Sequence, residues 1–285
     1  MKKVKVLVMS VGEYKKNGTC KWLKKIGGED LGVVVLPKEF KTNKESYEKE
    51  GFEVFLYDEK KYINEDFEYF GFKRRNCGGV GRQGIAEATE KYGDEYICFE
   101  LDDDTGDYRV YKDKKSLGVK SRDDLIKLVN AFDNFYNLTG IECVGRTGAT
   151  PPSEFFLSSR KMFNNFIMRK GNSLNFEGFK SLCSDDYRYN FYRNLGDSTP
   201  TVSTDYVAIV FTQSQGNRDD GNAVIYNGDY SWKKSYGLKM MFPWAAKQRL
   251  CKENGRYLFR ENLAPSEVYP PICVEENGEI VGKLS

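Results

Sequence analysis

Runs of apolar residues separated by polar segments of helical length set the rhythm of the first hundred positions. "VKVLVMS" (residues 4–10), "LGVVVLP" (31–37) and "FEVFLYD" (52–58) are short, rich in β-branched side chains and almost uninterrupted by charge. That pattern predicts strands buried on both faces. Between them lie the lysine-rich stretches "TCKWLKKIG" (19–27) and "TNKESYEKEG" (42–51), which read as helices. Strand, helix, strand, helix, strand predicts a parallel sheet with crossover helices. A glycine-rich turn in "GGVGRQGIAEA" (78–88) then leads into a helix expected from about Arg82 to Tyr92, and a further inner strand runs from Tyr96 to Leu101.

The remainder is patterned differently. "SRDDLIKLVNAFDNFYNLTG" predicts a helix with Ser121 as N-cap, Gly140 as its stop, and an apolar face of Leu125, Leu128, Val129, Phe132 and Phe135 or Tyr136. "MFNNFIMRKG" (162–171) and "TDYVAIVFTQS" (204–214) read as strands, and "DDYRYNFYRNLGD" (185–197) as a short helix. The tail, residues 268–284, reads as a hairpin turning at Asn277-Gly278. No repeat, low-complexity linker or break in composition divides the 285 residues. The expectation is therefore one α/β unit with a Rossmann-like, mostly parallel sheet flanked by helices. Residues 1–105 would form its nucleotide-type half, and residues 106–285 a mixed half ending in the hairpin.

Composition narrows the chemistry. With 44 basic and 42 acidic side chains the formal charge is +2, so no global field points to nucleic acid, although the first 25 residues carry eight lysines against one acid, Glu13. Histidine is absent, which excludes a His-based triad or zinc centre and leaves carboxylate, Cys, Lys or Tyr for any general base. The seven cysteines are scattered, with no C-x-x-C pair, as expected of reduced thiols. No apolar run is long enough to span a bilayer, and the first 18 residues are too short and strand-like for a signal peptide. The expected setting is cytoplasmic, with no membrane partner. Oligomeric state is not legible.

The feature that demands a function is the triplet Asp102, Asp103, Asp104 directly after the strand "YICFEL". In an open parallel sheet, ligands bind outside the carboxyl ends of the strands. Like charges crowded there are relieved by a hard divalent cation such as Mg²⁺ or Mn²⁺, which takes one or two carboxylates plus phosphate oxygens. The alternative is a solvated acidic turn. Three neighbours bear on the choice. Gly79 and Gly81 allow close backbone approach and Arg82 adds a positive charge, which together suit a diphosphate at a helix start, or merely a turn. Asp185 and Asp186 precede an aromatic, basic helix, as a general base or as a dipole-favoured cap. The polar loop at 212–227 is a lid or a surface turn.

Together, "GVGRQGIAEA…YGDEYICFELDDDT", "LCSDDYRYNFYRNLGD" and "TQSQGN…NAVIYN…KSYGLKMMFP" resemble GT-A-fold glycosyltransferases, and among them the phage TET-associated family that decorates hydroxymethylated pyrimidines in DNA. The resemblance runs from about residue 4 to 249. It implies a D-x-D formed by Asp102 and Asp104, with Asp104 the metal ligand, and Asp102 and Asp103 facing a nucleotide-sugar donor, most simply a UDP-sugar. Gly81 and Arg82 would lie near the diphosphate. Asp186 would be the base of an inverting transfer, with Asp185 beside it. The pair is Asp-Asp where Glu-Asp is commoner, and the late histidine ligand of many such enzymes is missing. For a DNA acceptor, the base must leave the stack. Tyr187, Tyr189, Tyr192 and Arg193, then Lys233, Lys234, Lys239 and Trp244, would supply stacking and phosphate contacts; otherwise they are core aromatics and solvated lysines. Competing readings are another acceptor (polysaccharide, protein or small molecule), an inert binding module, or a nucleotidyltransferase.

Overall fold

The computed structural model describes residues 1–62, 78–112, 115–147, 157–158, 165–170, 201–211, 246–253, 256–263, 272–274 and 280–283. In chain order the first elements are β1 (Lys3–Met9), α1 (Gly18–Lys25), β2 (Gly32–Pro37), α2 (Lys44–Glu48), β3 (Glu53–Tyr57), α3 (Gly78–Tyr92) and β4 (Tyr96–Leu101). Then come β5 (Thr105–Lys112), β6 (Lys115–Gly118), α4 (Arg122–Thr139), β7 (Glu142–Thr147), β8 (Leu157–Ser158), β9 (Asn165–Met168) and β10 (Thr201–Phe211). Two hairpins follow, β11 (Ala246–Glu253) with β12 (Arg256–Leu263), and β13 (Ile272–Val274) with β14 (Ile280–Lys283).

The main sheet has the order β3-β2-β1-β4-β9; its first four strands are mutually parallel and β9 is antiparallel at the edge. This is a mixed, mostly parallel sheet flanked by helices, compatible with a Rossmann-like fold. The β-branched runs explain it. Val33, Val34 and Val35 are fully buried because alternate side chains are covered from opposite faces. On one face, Val6, Val8, Val34 and Phe99 pack with Cys20, Trp22 and Leu23 of α1, Tyr47 of α2, and Leu125, Val129 and Phe132 of α4. On the other, Leu7, Val33, Val35 and Cys98 pack with Val80, Ile85, Ala88 and Tyr92 of α3.

Helix α3 starts at Gly78, four residues earlier than its pattern suggests, so the glycine-rich segment is helix and not turn. Glycine costs about 1 kcal/mol relative to alanine in a helix interior, but here close packing decides. A Cβ on Gly81 would overlap the Met9 side chain, and one on Gly84 the Tyr57 ring. The missing side chains let α3 settle on the sheet.

The second sheet, β6-β5-β10-β7 with β8 alongside β10, was not foreseen as a separate layer. Only three residues separate its strand β5 from β4, so the aspartate triplet is the point where the chain passes from one sheet to the other. Tyr108, Cys143, Val207 and Ile209 of this sheet join the core that α1 and α4 cover. Helix α4 matches its reading. Ser121 Oγ accepts from Asp124 N at 3.2 Å, and Gly140, at φ 70°, closes the last turn by donating to Tyr136 O at 2.7 Å. Among the described residues, no helix is long and apolar enough to cross a membrane.

Candidate functional site

From β1 the chain steps outward to β2 and β3, while β4 lies on the opposite side of β1. The carboxyl ends of β1 and β4 therefore flank the reversal of strand order, where open α/β sheets bind ligands. The loop after β1 and the aspartate triplet after β4 meet there.

Arg82 reaches this point from α3. Its guanidinium pairs with Glu100 and, through Nη2, with Asp102 Oδ1 at 3.1 Å. Alternation along β4 places Glu100 and Asp102 on one face, the face α3 covers. Arg82 is 2% exposed and Glu100 is wholly buried. A buried charge persists when paired, and here one cation lies between two anions. Arg82, expected near a donor diphosphate, has its guanidinium turned inward onto the carboxylates of Glu100 and Asp102. Gly81 is corrected likewise: it sits within the helix against Met9, where it serves helix packing and does not form a phosphate-approaching turn.

The backbone of the triplet is held from the other side by Thr19, in the first turn of α1. Thr19 Oγ1 donates to the Asp102 carbonyl and accepts from Thr105 N at 2.8 Å, while Thr19 N donates to the Asp103 carbonyl at 3.1 Å. Asn17 caps the same helix, accepting from Cys20 N at 2.8 Å, and its amide donates to the Tyr47 hydroxyl at 3.3 Å. That hydroxyl also meets Ser10 Oγ at 3.1 Å and donates to the Gly12 carbonyl at 2.9 Å. Burial, with the Asp103 charge acting the same way, pushes the Tyr47 phenol up and keeps it protonated. Beneath the triplet, Tyr108 is fully enclosed by Trp22 and Phe99; burial first, and the charge of Asp102 second, raise its phenol well above the usual range.

Asp104 is 5% exposed, whereas Asp102 and Asp103 are half-buried. The triplet is thus sheltered and not a loose solvated run. Its donors are hard carboxylate oxygens, which suit Mg²⁺ or Mn²⁺. Among the described residues no three acidic or cysteine side chains gather as a cage, so a cation at the triplet would need further ligands from phosphate or water. Asp102 and Asp104 are the carboxylates that would have to hold it. Asp185, Asp186, Tyr187, Tyr189, Tyr192, Arg193, Lys233, Lys234, Lys239 and Trp244 lie outside the described residues.

Sequence reasoning missed Glu100 and Thr19. Glu100 had a signal: it is the lone charge in "YICFEL", two residues before Asp102 and so on its face. Thr19 had none, being 83 residues from Asp102.

Comparison with family models, curated proteins and solved structures finds no match to this chain.

Proposed function

We propose that the chain is a metal-dependent glycosyltransferase of GT-A type that moves a sugar from a nucleotide sugar, most simply a UDP-sugar, to a hydroxyl. The favoured acceptor is a 5-hydroxymethylpyrimidine in phage DNA. One observation carries the reading: a sheltered Asp-x-Asp stands at the carboxyl end of an inner parallel strand, at the reversal of strand order, with its backbone and one carboxylate fixed by neighbouring elements. A solvated turn needs no such support.

In this mechanism Asp104 and Asp102 hold Mg²⁺ or Mn²⁺, which when bound supplies Lewis-acid stabilisation of the charge on the departing diphosphate. Arg82 keeps Asp102 in place and offsets part of the triplet's charge. Asp186, assigned by resemblance, takes the proton of the acceptor hydroxyl as its oxygen bonds to C1 of the sugar. The C1–O bond to the diphosphate breaks, and the electron pair leaves with the nucleotide. A positioned base of this kind contributes about 10²–10⁴-fold.

The test is to incubate the protein with a panel of UDP-sugars, Mn²⁺ and hydroxymethylated DNA, and to weigh the nucleosides after digestion. A nucleoside heavier by one sugar residue supports the proposal in full. Sugar transfer to other hydroxyl acceptors alone replaces the acceptor. No transfer and no donor cleavage with any sugar nucleotide of the panel rejects it.

A further inference from the structure

We infer that Thr19 is a positioning residue for the acidic turn, and that its hydroxyl sets the cation affinity of Asp102 and Asp104. The inference rests on the proposed reading of that turn as a cation and donor site.

Three carboxylates in a row repel one another, and the turn that bears them lies between two sheets. Left to itself, such a turn relaxes by rotating its peptides until the side chains diverge. Thr19 opposes this at three backbone atoms: the Asp102 carbonyl, the Asp103 carbonyl and the Thr105 amide. These atoms bracket Asp104 on both sides. The hydroxyl uses its proton on one and a lone pair on another, so serine keeps the pattern while valine and alanine lose both bonds. Thr19 is fully buried, which makes its bonds stronger and a lost partner more costly than at the surface.

The geometry also serves the helix. Thr19 N is one of the donors that the start of an α-helix leaves without an internal acceptor. Asn17 satisfies the next donor, Cys20 N, and the Asp103 carbonyl satisfies this one. The turn therefore completes the first turn of α1, and α1 in turn holds the backbone on both sides of Asp104. Fixing ligands before the cation arrives is what raises affinity at a designed or natural metal site.

The experiment is a Mn²⁺ titration, read by loss of the free-ion electron paramagnetic resonance signal, with and without UDP. It compares the wild type with Thr19→Val, Thr19→Ala and Thr19→Ser, each checked for folding by circular dichroism. Thr19→Val keeps the shape and deletes the hydroxyl; Thr19→Ala deletes it without placing a methyl against the Asp102 carbonyl. The expected result is about tenfold weaker Mn²⁺ binding in the folded Val or Ala protein, and affinity within about threefold of wild type for Ser. Equal Mn²⁺ affinity in all folded variants overturns the inference and leaves the proposed function standing. A wild type that binds no Mn²⁺ even with UDP overturns the proposed function itself.

Discussion

Arg82 on α3 and Asp102 at the end of β4 stand 3.1 Å apart, and the same guanidinium closes on Glu100, two residues back along the strand. A helix on one face of the sheet thereby grips the carboxyl end of β4. Removing one member of a buried ion pair leaves an uncompensated charge and costs about 3–5 kcal/mol. Arg82→Met is therefore expected to lower the unfolding free energy by about that amount in urea titration. Because the cost is the orphaned Glu100, Arg82→Met with Glu100→Met should recover part of it. A double variant no more stable than the single one would show that the pair is not the source.

The approach of α3 to the sheet gives a second expectation. The overlap created by a Cβ on Gly84 falls on the Tyr57 ring, which is buried at 3% exposure, while that on Gly81 falls on the flexible end of Met9. Overpacking a rigid neighbour costs about 1–3 kcal/mol. Gly84→Ala should thus destabilise more than Gly81→Ala in thermal or urea unfolding. The reverse order would mean that α3 rides on the sheet differently.

Acid sensitivity follows from Asp133 on α4. Burial alone would raise its carboxyl, but hydrogen bonds from Lys2 at 2.8 Å and Arg169 at 2.7 Å, with their charges, outweigh it and lower the pKa below the ordinary value. A group with a depressed folded-state pKa contributes stability that is present above its unfolded value, about 3.9, and lost as pH falls through the folded one. Asp30, held down by Arg122, acts in the same direction. Unfolding free energy should decline between about pH 5 and pH 2, and Asp133→Asn should flatten that decline. An unchanged slope in the variant would exclude Asp133 as a contributor.

Thiol reactivity probes the core directly. Burial pushes the Cys98 thiol up to about 12 and raises Cys20 well above its usual range. Alkylation proceeds through the thiolate, so both should resist iodoacetamide near pH 8 in the native protein and react fully in denaturant. Modification of either site in the folded state, found by peptide mapping, would contradict the packing of α1 or α3 on the sheet.

What the sequence revealed and what it hid divide along a physical line. Local periodicity located β1, β2, β3 and β4 to within a residue or so at each end, and the Ser121 and Gly140 caps fall where side-chain chemistry puts them. The β13–β14 pairing likewise agrees with the hairpin read in the tail. Gly78 to Gly81 were misread as a turn because glycine weakens helices locally, whereas the contacts that favour helix come from Met9 and Tyr57, far away in the chain. The second sheet was missed for the same reason: β5 finds β10 almost a hundred residues later. At the site, the aspartates were legible because three like charges after an apolar strand are costly without cause. Thr19 and the inward turn of Arg82 arise from the meeting of distant elements, which no local pattern records.

The central claim is that Asp104 and Asp102 hold a divalent cation through which the nucleotide of the donor is bound. Its most direct test is calorimetric titration of UDP into wild type and Asp104→Asn, each with Mn²⁺ and each in EDTA. The account predicts that chelation weakens UDP binding to the wild type, and that folded Asp104→Asn binds UDP as the chelated wild type does, with Mn²⁺ making no difference. UDP affinity that is the same with Mn²⁺ and with EDTA in the wild type, or unchanged by Asp104→Asn, would contradict it.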